Sequence, residues 1–147
     1  MEKSYIDLKS GYNHIRIKEG DEWTTAFHTC YGHFEYLVIT FGLANALAIS
    51  QNMMNEIFKD MINFDVIKYL DNIVIYSENE ADHIALVKRV LLCLEKHKLA
   101  IAREICEWHK SRVNFLSYII SADGIEMDQE KIKTVLEWDA PESVKDI

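Results

Sequence analysis

The sequence predicts an α+β fold, an antiparallel sheet with two long helices packed on one face, and three observations carry that expectation. Residues 66–70 and 73–76 are β-branched runs joined by Asp71-Asn72, a dipeptide suited to the left-handed positions of a two-residue hairpin turn. Apolar side chains recur every fourth position at Ile49, Met53, Ile57 and Met61, which predicts a helix over 45–62 with Asn45 as its N-cap. Ile84, Val87, Leu91 and Leu94 mark a second amphipathic helix over 80–98, with Glu80, Asp82, Lys88, Arg89, Glu95 and Lys96 turned to solvent. Hairpin strands combined with helices on one face give an α+β class rather than a wound parallel sheet.

The remaining elements follow in chain order. Residues 5–8 form a short apolar run, closed by Ser10-Gly11, and read as a strand and a tight turn, with Asp7 as its oddity. Residues 24–29 and 34–39 are β-prone and separated by Tyr31-Gly32, a hairpin signal. After the second helix come β-like pieces at 99–102, 113–116 and 118–121, a turn at Asp123-Gly124, and a last helix over 128–138 that Pro141 ends. No repeat, low-complexity tract or linker interrupts the chain, so 1–147 reads as one domain.

Composition bounds the function. The 147 residues carry 49% apolar and 11% aromatic side chains, enough for one packed core, and 16 basic against 24 acidic residues, a net charge of −8. That charge argues against a generic phosphate-backbone binder, whose affinity comes from Lys and Arg. The longest weakly polar stretch, 36–49, is too short and too interrupted to span a bilayer. Glu2 and Lys3 follow Met1 where a secretory core would be apolar, so an intracellular protein, cytoplasmic or nuclear, is expected. Three cysteines without a CxxC pair fit a reducing compartment. Cys30-x-x-His33 and Cys106-x-x-His109 offer four zinc-type ligands, but turn chemistry and a buried thiol account for them as well.

The chemistry rests on two acids. Asp7 inside a strand and Asp71 at a hairpin tip are flanked by large apolar residues, where an ionised carboxylate is costly unless paired or metal-bound. Carboxylates on neighbouring strands can hold a pair of Mg²⁺ ions that activate an attacking hydroxyl and stabilise a leaving oxygen. Two bland readings stand beside that one: Asp71-Asn72 as a turn in its own right, and Asp7 as a satisfied strand-end carboxylate.

Four ordered motifs extend the reading. Tyr5-Ile6-Asp7-Leu8-Lys9-Ser10-Gly11-Tyr12, Phe41-Gly42-Leu43-Ala44-Asn45-Ala46, Tyr69-Leu70-Asp71-Asn72 and Phe115-Leu116-Ser117-Tyr118-Ile119-Ile120-Ser121 resemble successive motifs of the reverse transcriptase of gypsy-type LTR retrotransposons. The connecting segments Glu19–Phe27 and Cys106-Glu107-Trp108-His109 are similar as well, so the likeness covers nearly the whole chain.

The resemblance implies the palm of an RNA-directed DNA polymerase, with about 1–122 as palm core, 123–147 as the start of the thumb or connection, and fingers and RNase H absent. It implies that Asp7 and Asp71 bind Mg²⁺ or Mn²⁺ and that Tyr12 blocks a ribose 2′-hydroxyl. Phe41 and Gly42 would line the incoming dNTP, Gln51 would help place the template, and Tyr69 would touch the primer end. The implied reaction is attack of a primer 3′-hydroxyl on the α-phosphate of the dNTP, with an RNA or DNA template-primer as partner. The family's hairpin carries a second aspartate where this chain has Asn72, which removes one charge from the catalytic set and keeps the turn. Thr40, Leu47, Ser117 and Ile105 also depart from the family's Pro, Pro, Gly and Lys. With the upstream fingers strands and the thumb outside the sequence, weak nucleic-acid binding, no efficient polymerase activity and some self-association through uncovered palm surface are expected of this chain alone. The alternative is a non-catalytic, decayed or domesticated retroelement protein acting as an interaction module.

Overall fold

The computed structural model describes residues 1–9, 11–61 and 65–138. Strand β1 (Glu2–Asp7) lies inside a four-stranded antiparallel sheet with β4 (Val66–Tyr69), β5 (Asn72–Ser77) and β6 (Glu107–Lys110), in the order β4-β5-β1-β6. In β1 the side chains alternate, so Ser4 and Ile6 face one way and Lys3, Tyr5 and Asp7 the other. Helices α1 (Ala46–Phe58) and α2 (Glu80–Lys96) cover the first face. There Ile6, Ile73, Ile75 and Val66 pack on Met54 and Phe58 of α1 and on Val87, Val90 and Leu94 of α2.

The opposite face carries a second layer, the three-stranded sheet β7 (Val113–Phe115), β8 (Tyr118–Ile120) and β9 (Ile125–Met127). Val113 and Phe115 are buried on Val74, with Tyr5 and Ile120 at the margin. The β7–β8 loop is the pair Leu116 and Ser117, both left-handed at φ 51 and 68. Two such residues shape a hairpin turn that matches strand twist, at a conformational cost a glycine would avoid. Strand β9 pairs with β8, so this sheet runs across residue 122. Helix α3 (Gln129–Leu136) closes the described chain, with the Asp128 carboxylate accepting the Glu130 N–H at 3.1 Å. Helix α1 ends at Phe58, short of the end expected near Ile62, where the Met61 N–H turns back to the Phe58 carbonyl (2.8 Å), and the break expected at Pro141 lies outside the described residues.

Several expected elements are corrected. The first hairpin is shorter: β2 (Phe27–Thr29) and β3 (Gly32–Phe34) turn on Cys30 and Tyr31, with Gly32 at φ 131 already opposite Thr29. Thr24 and Thr25 sit in a 3₁₀ turn instead, because their hydroxyls donate back to the carbonyls of Asp21 (2.8 Å) and Glu22 (2.7 Å). In α1 the buried row is Ala46, Ser50, Met54 and Phe58, while Ile49 is exposed and Asn45 makes no side-chain cap bond. In α2 the buried row includes His83 and Val90, and Ile84 is exposed. Residues 99–102 form no strand; Ile101 makes one isolated bridge to Leu8, and the charged run Glu107–Lys110 takes the sheet edge.

His83 lies fully buried under the sheet in a directed hydrogen-bond chain. Ser4 Oγ accepts the His109 N–H at 3.2 Å and hydrogen-bonds His83 Nε2 at 2.7 Å. Nδ1–H then donates to Ser77 Oγ (2.9 Å), and that hydroxyl donates to the Asn79 carbonyl (3.1 Å). With a neutral ring, Nδ1–H faces the Ser77 hydroxyl and Nε2 takes the hydrogen of the Ser4 hydroxyl. Burial lowers the His83 pKa, the adjacent His109 lowers it further, and Glu2 opposes. A folded pKa below the unfolded value leaves stability intact above about pH 6.5 and removes it as the pH falls below that. The melting temperature is therefore expected to fall between about pH 7 and about pH 5, with a shallower slope in His83→Gln. Equal slopes in the two proteins would show that His83 does not carry the acid sensitivity.

Candidate active site

The site is built where β1 ends and the β4–β5 hairpin turns. Asp7 is in register with Asn72, and Tyr69 faces Asn72 from the other side. The turn residues are therefore Leu70 and Asp71, one position earlier than the sequence suggests, and Leu70 takes the left-handed conformation at φ 54. A leucine rarely adopts that geometry unless its surroundings impose it. Here the Leu70 N–H donates to Gln51 Oε1 (3.0 Å), and the Gln51 carbonyl accepts Lys68 Nζ (3.3 Å). On the other side, the Leu8 N–H donates to the Asp71 carbonyl at 2.9 Å, tying the turn to the end of β1.

Gly11 opens the 3₁₀ turn Gly11–His14 and fits closely against this hairpin. A Cβ on Gly11 would stand 3.3 Å from the Asp71 Cβ, so the absence of a side chain there lets the two segments approach. Together Asp7, Asp71, Gly11, Lys9, Asn13 and Phe41 line a cleft of about 370 Å³. Phe41 is exposed at its edge. Of the other residues expected here, Gly42 does not line the cleft, Gln51 stands behind the turn, and Tyr69 is half-exposed at the end of β4. Tyr12 belongs to the 3₁₀ turn after β1, and its side chain lies outside the described residues.

Side-chain hydrogen bonds connect the acids. The Tyr5 hydroxyl donates to Asp7 Oδ2 (3.1 Å) and to Asn72 Oδ1, and Asn72 Nδ2 donates to Asp71 Oδ1 (2.9 Å). Burial raises the Asp7 pKa and the Asp71 carboxylate adds to it, against the lowering effect of the Tyr5 bond. Tyr5 is raised strongly, by burial and by its bond to Asp7. Two carboxylates and an amide carbonyl are hard oxygen donors of the kind Mg²⁺ and Mn²⁺ accept beside substrate phosphates, so the residues present fit such a cation. Among the described residues no three His, Cys, Asp or Glu converge, so the two Cys-x-x-His pairs do not assemble a zinc centre. Tyr5, Lys9 and Asn13 were not singled out in the sequence. Tyr5 was within reach of it, two residues before Asp7 and thus on the same strand face.

The fold is shared with solved structures. The foamy viral protease-reverse transcriptase in complex with an RNA/DNA hybrid superposes with a TM-score of 0.88 at 21% identity, over 99% of this chain and 20% of that one. A form of that protein in complex with double-stranded DNA gives 0.90 at 21% identity, over 99% and 25%. The family follows from the sequence: residues 3–120 match the model of "Reverse transcriptase (RNA-dependent DNA polymerase)", and the chain belongs to this family. It is similar to the Transposon Tf2-7 polyprotein of Schizosaccharomyces pombe, 41% identical over 142 residues. The Tf2-3 polyprotein of the same organism is 40% identical over 142 residues. The match covers 97% of this chain and 11% of the length of each polyprotein. Among the described residues no helix is long and apolar enough to cross a membrane.

Proposed function

We propose that this chain is the carboxylate-bearing palm of an RNA-directed DNA polymerase, with residues about 1–122 as its core and Asp7 and Asp71 as its metal-holding acids. The observation that carries the reading is the convergence of Asp7, Asp71, Gly11 and Phe41 on one cleft at adjacent strand ends, in a chain of the reverse transcriptase family. Template-primer and dNTP come with this reading as ligands. When bound, divalent cations supply a more acidic primer hydroxyl and neutralise charge building on the phosphate. The chain's own residues hold the acids in place: Gln51 and Gly11 fix the Asp71 turn, and the β1–β5 register fixes Asp7 beside it. Phe41 edges the cleft where a nucleotide would enter, and Lys9 is a cation on the same wall.

Asn72 favours a second reading, a non-catalytic retroelement-derived module, because it supplies a neutral oxygen where the family has an acid. Single-nucleotide extension of a DNA primer on an RNA template in Mn²⁺ separates the two. Restoring the acid with Asn72→Asp is expected to raise incorporation about tenfold or more, by the size of effect seen when one charge-stabilising group is restored, while Asp7→Asn stays at background. If Asn72→Asp gives no more product than Asp7→Asn, the polymerase reading fails and the non-catalytic one stands.

A further inference from the structure

Among the described residues, the side-chain hydrogen bonds that join the two carboxylates run through two residues, Tyr5 and Asn72. The links run from Asp7 Oδ2 to the Tyr5 hydroxyl, from that hydroxyl to Asn72 Oδ1, and from Asn72 Nδ2 to Asp71 Oδ1. Tyr5 reaches this position because it lies two residues before Asp7 on the same face of β1, with its ring at the margin of the Val74–Val113–Phe115 cluster. The phenol has one hydrogen, so its two acceptors share it. Asn72 contributes what an aspartate could not, an N–H aimed at Asp71. Donor hydrogens thus serve both carboxylates where a cation's charge would otherwise serve them.

We propose that Tyr5 and Asn72 form an internal tie that cross-links Asp7 to Asp71 in the cation-free protein, and that a divalent cation must displace it to bind. Tyr5 is then a positioning residue that sets the cation affinity of the site. The proposal rests on the reading of Asp7 and Asp71 as the metal-holding pair. It differs from ordinary outer-sphere support, in which a hydrogen bond behind a ligand strengthens metal binding. Here the same hydroxyl also engages Asn72 Oδ1, an oxygen a cation would use, and the Asn72 amide occupies Asp71 Oδ1. Freeing those oxygens therefore outweighs any loss of orientation.

The test is titration of the full chain with Mn²⁺ alone, following free Mn²⁺ by electron paramagnetic resonance, for wild type, Tyr5→Phe and Asp7→Asn. Phenylalanine keeps the ring in the cluster, so the melting temperature without cation serves as the folding control. Tyr5→Phe is expected to lower the Mn²⁺ dissociation constant by about threefold or more, the reverse of the loss that removing a supporting outer-shell partner produces. A second measurement uses no variant: the Asn72 side-chain NH₂ is expected to be slow to exchange in the cation-free protein and to lose that protection when Mg²⁺ is added. Unchanged or weaker Mn²⁺ binding in Tyr5→Phe, with binding still abolished by Asp7→Asn, would overturn the tie and leave the carboxylate pair standing. Binding that Asp7→Asn does not diminish would overturn the carboxylate reading and the tie with it.

Discussion

Asp7→Asn is expected to be more stable than the wild-type protein without divalent cation and less stable with it. The first half follows from the carboxylate's surroundings. Burial, and then the Asp71 charge, raise the Asp7 pKa above its unfolded value, so the ionised form is held at a cost in the fold. Stability on this account increases as the pH falls through the folded pKa, and it is lowest where Asp7 is fully ionised. An uncharged amide of the same shape removes that cost. The second half follows from mass action: a cation held by the native site alone stabilises by about 2.7 kcal/mol at a concentration of about 100 times its dissociation constant. Asparagine in place of Asp7 forfeits that gain. Thermal unfolding in chelator and in excess Mn²⁺ should therefore show the two melting temperatures changing order. Parallel shifts in both proteins would mean that Asp7 does not hold the ion.

Phe58→Ala is expected to cost about 3–5 kcal/mol, the range for removing a fully buried aromatic ring. Phe58 is 0% exposed on the last turn of α1, within the cluster formed by Ile6, Ile73 and Val66 from the sheet and Val90 and Leu94 from α2. A cavity there loosens both helices from the sheet at once. Typical domains hold only about 5–15 kcal/mol in total, so the variant should unfold at markedly lower urea with an unchanged dependence on denaturant. A shift of less than about 1 kcal/mol would show that the site collapses freely around the missing ring.

The fold class, the 66–77 hairpin, both long helices and the two acids were legible because each is written in local pattern. What escaped was decided by distant contacts. Asp71-Asn72 has the composition of a turn, yet Gln51 from α1 captures the Leu70 N–H and Gly11 admits the hairpin closely, so the turn falls on Leu70-Asp71. The row at Ile49 has the more apolar side chains, but Met54 and Phe58 are the α1 residues buried against the sheet and Ala46 is buried against Ile39, which leaves Ile49 exposed and Met53 and Ile57 only partly covered. His83 carries no mark in the helix pattern, and its meeting with Ser4 and Ser77 accounts for its burial. Strand β6 was hidden by its charges, Glu107 and Lys110, which suit an edge strand. The Tyr5 hydroxyl was invisible for a related reason, since it acquires a role only through the register that sets Asp7 beside Asn72.

The strand order β4-β5-β1-β6 also constrains how the chain reaches its native state. Within this sequence β1 precedes both strands that flank it in the sheet, and Lys3 finds its neighbour at Lys110, more than a hundred residues further along. The β4–β5 hairpin and α2 are close in sequence and can assemble early, offering a template onto which β1 docks. Asp7 meets the hairpin that carries Asp71 through the long-range β1–β5 pairing, so assembly of the cleft depends on a contact between segments distant in sequence.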